Sequence, residues 1–144
     1  MYILQVAVAS VPALFVGAID QATKIAVEQF LPGTPQRSAS SVRLETVHNP
    51  HGGMGRSRVP PGARVIAAGL ATAAALILIG FNGPIPTVSV VGLGVAIGGG
   101  ISNTVDLITR GAVVDFVSIG RWPSFNLADV ALCVGLGLTV IGLM

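Results

Sequence analysis

Val88–Val105, VSVVGLGVAIGGGISNTV, runs for eighteen residues without a formal charge. A helix crossing a bilayer needs about 20 apolar residues, with about 17 as a practical lower limit, so the stretch is long enough to span. Its glycines, Gly92, Gly94, Gly98, Gly99 and Gly100, would each weaken a soluble helix. Inside a membrane, small residues instead let neighbouring helices approach closely. The stretch reads as a packed transmembrane helix.

Outward from it lie three more apolar stretches, Tyr2–Ile19, Val65–Gly80 and Ala128–Met144. The last two are marginal by count and gain length if flanking residues continue the helix. Phe81–Thr87, with Pro84 and Pro86, is a tight uncharged turn that makes the second and third helices an antiparallel hairpin. Leu31–Arg64 is rich in Pro, Gly, Ser and Arg and cannot span. Within it Val42–Val47 partly alternates apolar and polar residues, a short-strand signal. The expectation is an all-α integral membrane fold of four transmembrane helices, approximately 2–29, 64–80, 87–109 and 126–144. A small β-containing surface element at 31–63 joins the first two, and residues 1–144 form a single domain.

Composition agrees. Of 144 residues 52% are hydrophobic and 10% charged, and the mean hydropathy is +0.82. A soluble domain carries about a quarter charged residues. The net charge is only +2, and no basic run or aromatic-basic patch is present, so nucleic acid is not an expected partner. Cys133 stands alone, which excludes an internal disulfide and a multi-thiolate metal site; it reads as a small core residue within a helix. No Lys or Arg precedes Lys24, so the first stretch reads as a retained helix rather than a signal peptide.

An even number of spans puts both termini on one face, and all eight cations and all six acids fall on the other. The positive-inside rule by itself would make that charged face cytoplasmic.

Acids near a bilayer are costly and are functional candidates by default. Gly99, Asn103, Asp106 and Arg110, at steps of four, three and four, share one helical face. They form either a polar track into the bundle or a packing network with Asp106 and Arg110 paired one turn apart. Asp115 is flanked by Val113, Val114 and Phe116, surroundings that raise a carboxyl pKa. In Phe125-Asn126-Leu127-Ala128-Asp129, Asn126 fits an N-cap and Asp129 the third helical position of a capping box. Asp115 and Asp129 close the two ends of one short loop. Two carboxylates brought together cannot both ionise easily, so one holds a proton while the other acts as base, the arrangement by which aspartic proteases activate water. Asp20 and Lys24, four residues apart, read as a surface ion pair. His48 and His51 have loose metal-like spacing without further ligands, and no metal or cofactor is expected.

Four blocks resemble the signal peptidase II family. They are Asp20-Gln21-Ala22-Thr23-Lys24; His48-Asn49-Pro50-His51-Gly52-Gly53; Gly98 through Asp106 with Arg110-Gly111-Ala112-Val113-Val114-Asp115-Phe116; and Trp122 through Asp129. The resemblance implies an aspartic endopeptidase of the bacterial cytoplasmic membrane, monomeric, among membrane lipids. It would remove signal peptides from diacylglyceryl-modified prolipoproteins, cleaving before the lipidated cysteine. It implies Asp115 and Asp129 as the catalytic dyad, with Asn126 orienting it. Asn103 and Asp106 would support the site, and Asp20, Lys24, Asn49, Gly52 and Ala128 would brace it or contact substrate. It also implies a site toward the extracytoplasmic face, opposite to the charge count, with Val42–Val47 in a surface cradle for substrate. The chain departs from the family pattern at Leu107, where the family has Arg, at Ser102 in place of Gly, and in an extra residue within Asn49–Met54. Those departures motivate the alternative of a catalytically impaired paralogue that binds lipidated substrates without cleaving them. A transporter using the polar track is the third reading, disfavoured because the acids gather at one membrane surface rather than the midplane.

Overall fold

The computed structural model describes residues 2–31, 42–49, 71, 85–120 and 122–144. The expected second helix at 64–80, apart from Ala71, and Gly52 and His51 of the surface element lie outside the described residues.

The first apolar stretch continues well past Ile19, so that α1 spans Tyr2–Phe30, 29 residues. At 1.5 Å per residue it is about 43 Å long, longer than the ~30 Å hydrocarbon core of a bilayer. Strand β1 is Val42–Asn49, α2 is Thr87–Thr109, β2 is Val113–Ile119 and α3 is Leu127–Leu143. Ile3–Phe30 and Thr87–Thr109 are long and apolar enough to cross a membrane, whereas α3 is a shorter apolar helix. The outer surfaces of α1 and α3 expose Leu4, Leu14, Phe15, Leu136, Val140 and Ile141. Apolar exposure on this scale is at home in lipid and a liability in water.

α2 is the central helix, packed against α1 on one side and α3 on the other. Glycines permit both contacts. A Cβ on Gly94 would collide with the Ala9 carbonyl and lie 2.8 Å from Pro12 Cγ, and one on Gly98 would collide with the Ala13 carbonyl. On the opposite face, a Cβ on Gly92 would lie 2.6 Å from the Gly135 carbonyl, and one on Gly99 2.5 Å from that of Ala128. The α3 side of this seam is Ala128, Leu132, Gly135 and Thr139, one helical face at steps of four, three and four. Cys133 falls about 100° away from that face. It is exposed on the outside of α3, not in the core as its residue type suggests.

β1 and β2 pair antiparallel, with Val42 opposite Ile119 and Asn49 opposite Val113. Between Leu44 and Val47, β1 advances three residues while β2 advances two, a bulge that resets the register beside Asp115. Among the described residues, the surface element at 31–63 supplies one strand of this sheet and the other follows α2. β2 escapes a period-two reading because Val113–Phe116 is buried throughout, so no polar face alternates with an apolar one. Gly111 (φ 73°) makes the left-handed step that turns the end of α2 into β2. Phe125 then returns along β2, exchanging hydrogen bonds with Val117 (2.9 Å each way). That pairing delivers Asn126 to Asp115 and starts α3 there.

Candidate active site

The charged end of the bundle is built around Lys24, whose side chain is wholly buried. Its Nζ lies 2.6 Å from Asp20 Oδ2 and 2.6 Å from Asp106 Oδ2, both also buried. The expected surface pair of Asp20 and Lys24 is thus corrected. Their spacing on α1 is as expected, but Asp106 of α2 docks on them and excludes water. A buried ammonium needs paired charge and hydrogen bonds. Lys24 finds these in the two carboxylates and in Asn103 Oδ1 at 2.9 Å.

Each supporting acid also bonds the backbone of a neighbouring element. Asp20 Oδ1 accepts from Ala128 N at 2.9 Å, capping an otherwise unpartnered N–H in the first turn of α3. Its Oδ2 accepts from Ser102 Oγ at 2.7 Å. Asp106 Oδ2 accepts from Val114 N at 3.2 Å, which pins the residue preceding Asp115. Ala128 is fully buried where Gly99 faces it, so a larger residue there would part α2 from α3.

Two asparagines join Asp115 to Asp129. Asn126 Nδ2 donates to Asp115 Oδ1 at 3.0 Å, to Asn103 Oδ1 at 3.1 Å and to the Val114 carbonyl at 3.2 Å. Its Oδ1 accepts from Asp129 N at 2.9 Å, and Asp129 Oδ2 accepts from Asn126 N at 3.2 Å. This is the expected capping box, and it holds Asp129 toward Asp115 as well as starting the helix. Asn103 Nδ2 donates to Asp129 Oδ1 at 2.9 Å, while Asn49 Nδ2, from β1, donates to Asp115 Oδ2 at 3.2 Å.

Burial pushes the Asp115 carboxyl from 3.8 up to about 6; the Asn49 hydrogen bond opposes the rise and the Asp129 charge adds to it, with Lys24 and Asn126 also opposing. A carboxyl poised near neutrality, beside a second one, can hold a proton while its neighbour accepts one.

Asp20, Lys24, Asn49, Asn103, Asp106, Asp115, Asn126, Ala128 and Asp129 therefore gather at one end of the bundle. Ser102 and four further residues join them. Gln21 Nε2 donates to Asp106 Oδ1 at 2.8 Å and Ser102 Oγ at 2.9 Å. Arg110 Nη1 bonds Asp106 Oδ1 at 2.6 Å, the expected one-turn pair, and Arg110 Nε bonds Glu28 Oε2 at 3.2 Å. Glu28 was legible only as the next acid on the Asp20–Lys24 face, at steps of four. His48 Nε2 lies 3.2 Å from Glu28 Oε1. Among the described residues, no three His, Cys, Asp or Glu side chains converge as a metal-binding set.

Among the described residues, three apolar helices, a two-stranded antiparallel sheet and a buried acid–amide network at their charged end define a helical membrane-type fold. It is shared with a solved bacterial membrane enzyme determined by the in meso method at 1.9 Å (TM-score 0.80, 22% identity, 94% of this chain and 92% of that one). The family model for signal peptidase (SPase) II matches residues 12–144, and the chain belongs to that family. It is similar to the lipoprotein signal peptidase of Moorella thermoacetica, 34% identical over 129 residues, 85% of this chain and 83% of the relative. A more local likeness, 45% identity over 49 residues, links it to the lipoprotein signal peptidase of Blochmanniella pennsylvanica, covering 31% of this chain and 30% of that protein.

Proposed function

We propose that this chain is an aspartic endopeptidase of the bacterial cytoplasmic membrane that removes signal peptides from diacylglyceryl-modified prolipoproteins, cleaving before the lipidated cysteine. The observation that carries the reading is Asn126, which donates to the Asp115 carboxylate through Nδ2 at 3.0 Å and to the Asp129 carboxylate through its backbone N–H at 3.2 Å. Family membership supports the substrate class.

In this reading Asp115, with its raised pKa, keeps a proton and donates it to the scissile carbonyl oxygen. Asp129 receives N–H donors on both oxygens, from Asn103 and from Asn126, and takes the proton of the attacking water. The tetrahedral intermediate collapses as Asp129 passes that proton to the leaving nitrogen and Asp115 takes back the proton from the hydroxyl, which breaks the C–N bond, frees the new carboxyl and restores both acids without a metal, cofactor or covalent intermediate. Residues 1–144 act as one monomeric peptidase domain with four spans, the segment at 64–80 being the fourth. The charged end faces the extracytoplasmic side, and membrane lipids surround the apolar helices. The network is complete although Leu107 stands where the family has Arg, which favours the active enzyme over the non-cleaving paralogue.

The test is cleavage of a diacylglyceryl-cysteine prolipoprotein by the purified protein, with Asp115→Asn and Asp129→Asn as controls. Cleavage before the lipidated cysteine, reduced roughly 10²–10⁴-fold in each folded control, is expected. A control that cleaves at the wild-type rate overturns the dyad, and a folded wild type that binds substrate without turnover is the impaired paralogue.

A further inference from the structure

Arg110 reaches both strands that present Asp115. Through Nη1 it holds Asp106 at 2.6 Å, and the other oxygen of Asp106 holds the Val114 backbone N–H at 3.2 Å. Through Nε it holds Glu28 at 3.2 Å, and the other oxygen of Glu28 lies 3.2 Å from His48 Nε2. Val114 and His48 are themselves partners across the β1–β2 register. The contacts thus close a ring from Arg110 through Asp106, Val114, His48 and Glu28 back to Arg110. The residues next to the two strand members are the reacting carboxylate and its bracing amide. Asp115 follows Val114, Asn49 follows His48, and Asn49 Nδ2 bonds Asp115 Oδ2 at 3.2 Å.

We propose that Arg110 is a positioning residue that sets the separation of β1 and β2 around Asp115 and so holds the Asn49–Asp115 hydrogen bond. The inference rests on the peptidase reading for its effect on turnover, but its structural half does not. A guanidinium suits the task because its donors diverge in a fixed plane and engage two carboxylates at once, which a lysine ammonium does less well. A third bond, from Nη1 to Gln21 Oε1 at 3.0 Å, fixes that plane against α1. Arg110 and Glu28 are part-exposed (20% and 30%), so this side of the clamp lies at the rim of the site and meets the buried Lys24 cluster through Asp106.

The groups around Asp115 give the inference its chemical signature. Asn49 from β1, Asn126, Asp129 from α3 and Lys24 from α1 all bear on its carboxyl, and the Asn49 bond favours the ionised form. Loosening β1 removes that bond and makes Asp115 hold its proton more tightly.

The experiment compares wild type, Arg110→Leu and Arg110→Lys, each as the full chain in detergent. Hydrogen–deuterium exchange of 42–49 and 113–119 is measured alongside the pH dependence of cleavage of a lipidated prolipoprotein. In Arg110→Leu, faster exchange in both strands is expected with α2 and α3 unchanged. With it come a fall in kcat of roughly tenfold or more, little change in KM and an alkaline limb displaced to higher pH. Arg110→Lys restores part of each. Unchanged strand exchange in Arg110→Leu overturns the proposal whether or not the wild type cleaves. Loosened strands with an unmoved limb and unchanged kcat overturn the catalytic half. Loosened strands in Arg110→Leu beside a folded wild type that cleaves nothing support the clamp and sink the peptidase reading instead.

Discussion

Asn126 and Asp129 bond each other reciprocally, side chain to backbone in both directions, at 2.9 and 3.2 Å. The same asparagine uses its Nδ2 on Asp115. One residue thus begins α3 and spans the two carboxylates, and substitutions can separate these duties. Asn126→Ala loses both, with a stability cost of about 1 kcal/mol from the cap and a turnover loss on the order of 100-fold from misplaced groups. Asn126→Ser keeps an N-cap acceptor but has no amide to reach Asp115. Thermal unfolding in detergent should show it recovering stability toward wild type while turnover stays as low as in Asn126→Ala. Parallel recovery of both would show that capping alone matters.

The dyad reading predicts a bell-shaped pH dependence of kcat/KM, with two macroscopic pKa values belonging to the pair. The alkaline limb falls near pH 6, where Asp115 loses its proton. Stability carries the same sign. The folded pKa lies above the unfolded value, so the contribution of Asp115 is fully present below about pH 4 and is lost as pH rises through about 6. Asp115→Asn removes this one component, and the difference between the wild-type and variant melting curves across pH 4–7 measures it.

Lys24 faces two buried carboxylates at 2.6 Å. Removing one partner of a buried ion pair typically costs about 3–5 kcal/mol, and Lys24→Met is expected to lose that much in chemical or thermal denaturation. Adding Asp20→Asn recovers part of the loss, because the amide oxygen still accepts the Ala128 N–H and one uncompensated charge has gone. A double variant no more stable than Lys24→Met contradicts this account of the cluster.

The helix seams make a contrasting pair. Gly94→Ala sets a methyl against the Ala9 carbonyl and must part α1 from α2, whereas the same change at Gly137 meets nothing within 4 Å among the described residues. Gly94→Ala should destabilise. Gly137→Ala should be neutral or add about 0.5–1 kcal/mol, the usual helical gain of alanine over glycine. Equal effects at the two sites would mean that close approach is not what Gly94 supplies.

Residues whose role rests on local pattern were legible from the chain. The alternation at Val42–Val47 pointed to β1, and the step-of-three-and-four track placed Asn103, Asp106 and Arg110 on one face. Asn126 and Asp129 announced a capping box. What stayed hidden depends on what arrives from elsewhere. Asp20 and Lys24 have the same spacing on a wet surface as in a core, and only the docking of Asp106, more than eighty residues later, decides between them. β2 lacks alternation because both its faces are covered. Glu28 and His48 gain meaning only when Arg110 and the sheet bring them together.

The enclosed Lys24 bears on biogenesis. While α1 stands alone in the bilayer, Lys24 has Asp20 one turn before it and Glu28 one turn after it, but not the buried carboxylate of Asp106 nor the shelter of α2. The missing acid resides on α2, and the amide that Asp20 caps belongs to α3. α1 therefore reaches its settled state in lipid only after α2 and α3, which follow it in the chain, have docked against it. A chain cut short before Asp106 would leave the Lys24 ammonium without its second buried partner, a deficit that only the finished bundle removes.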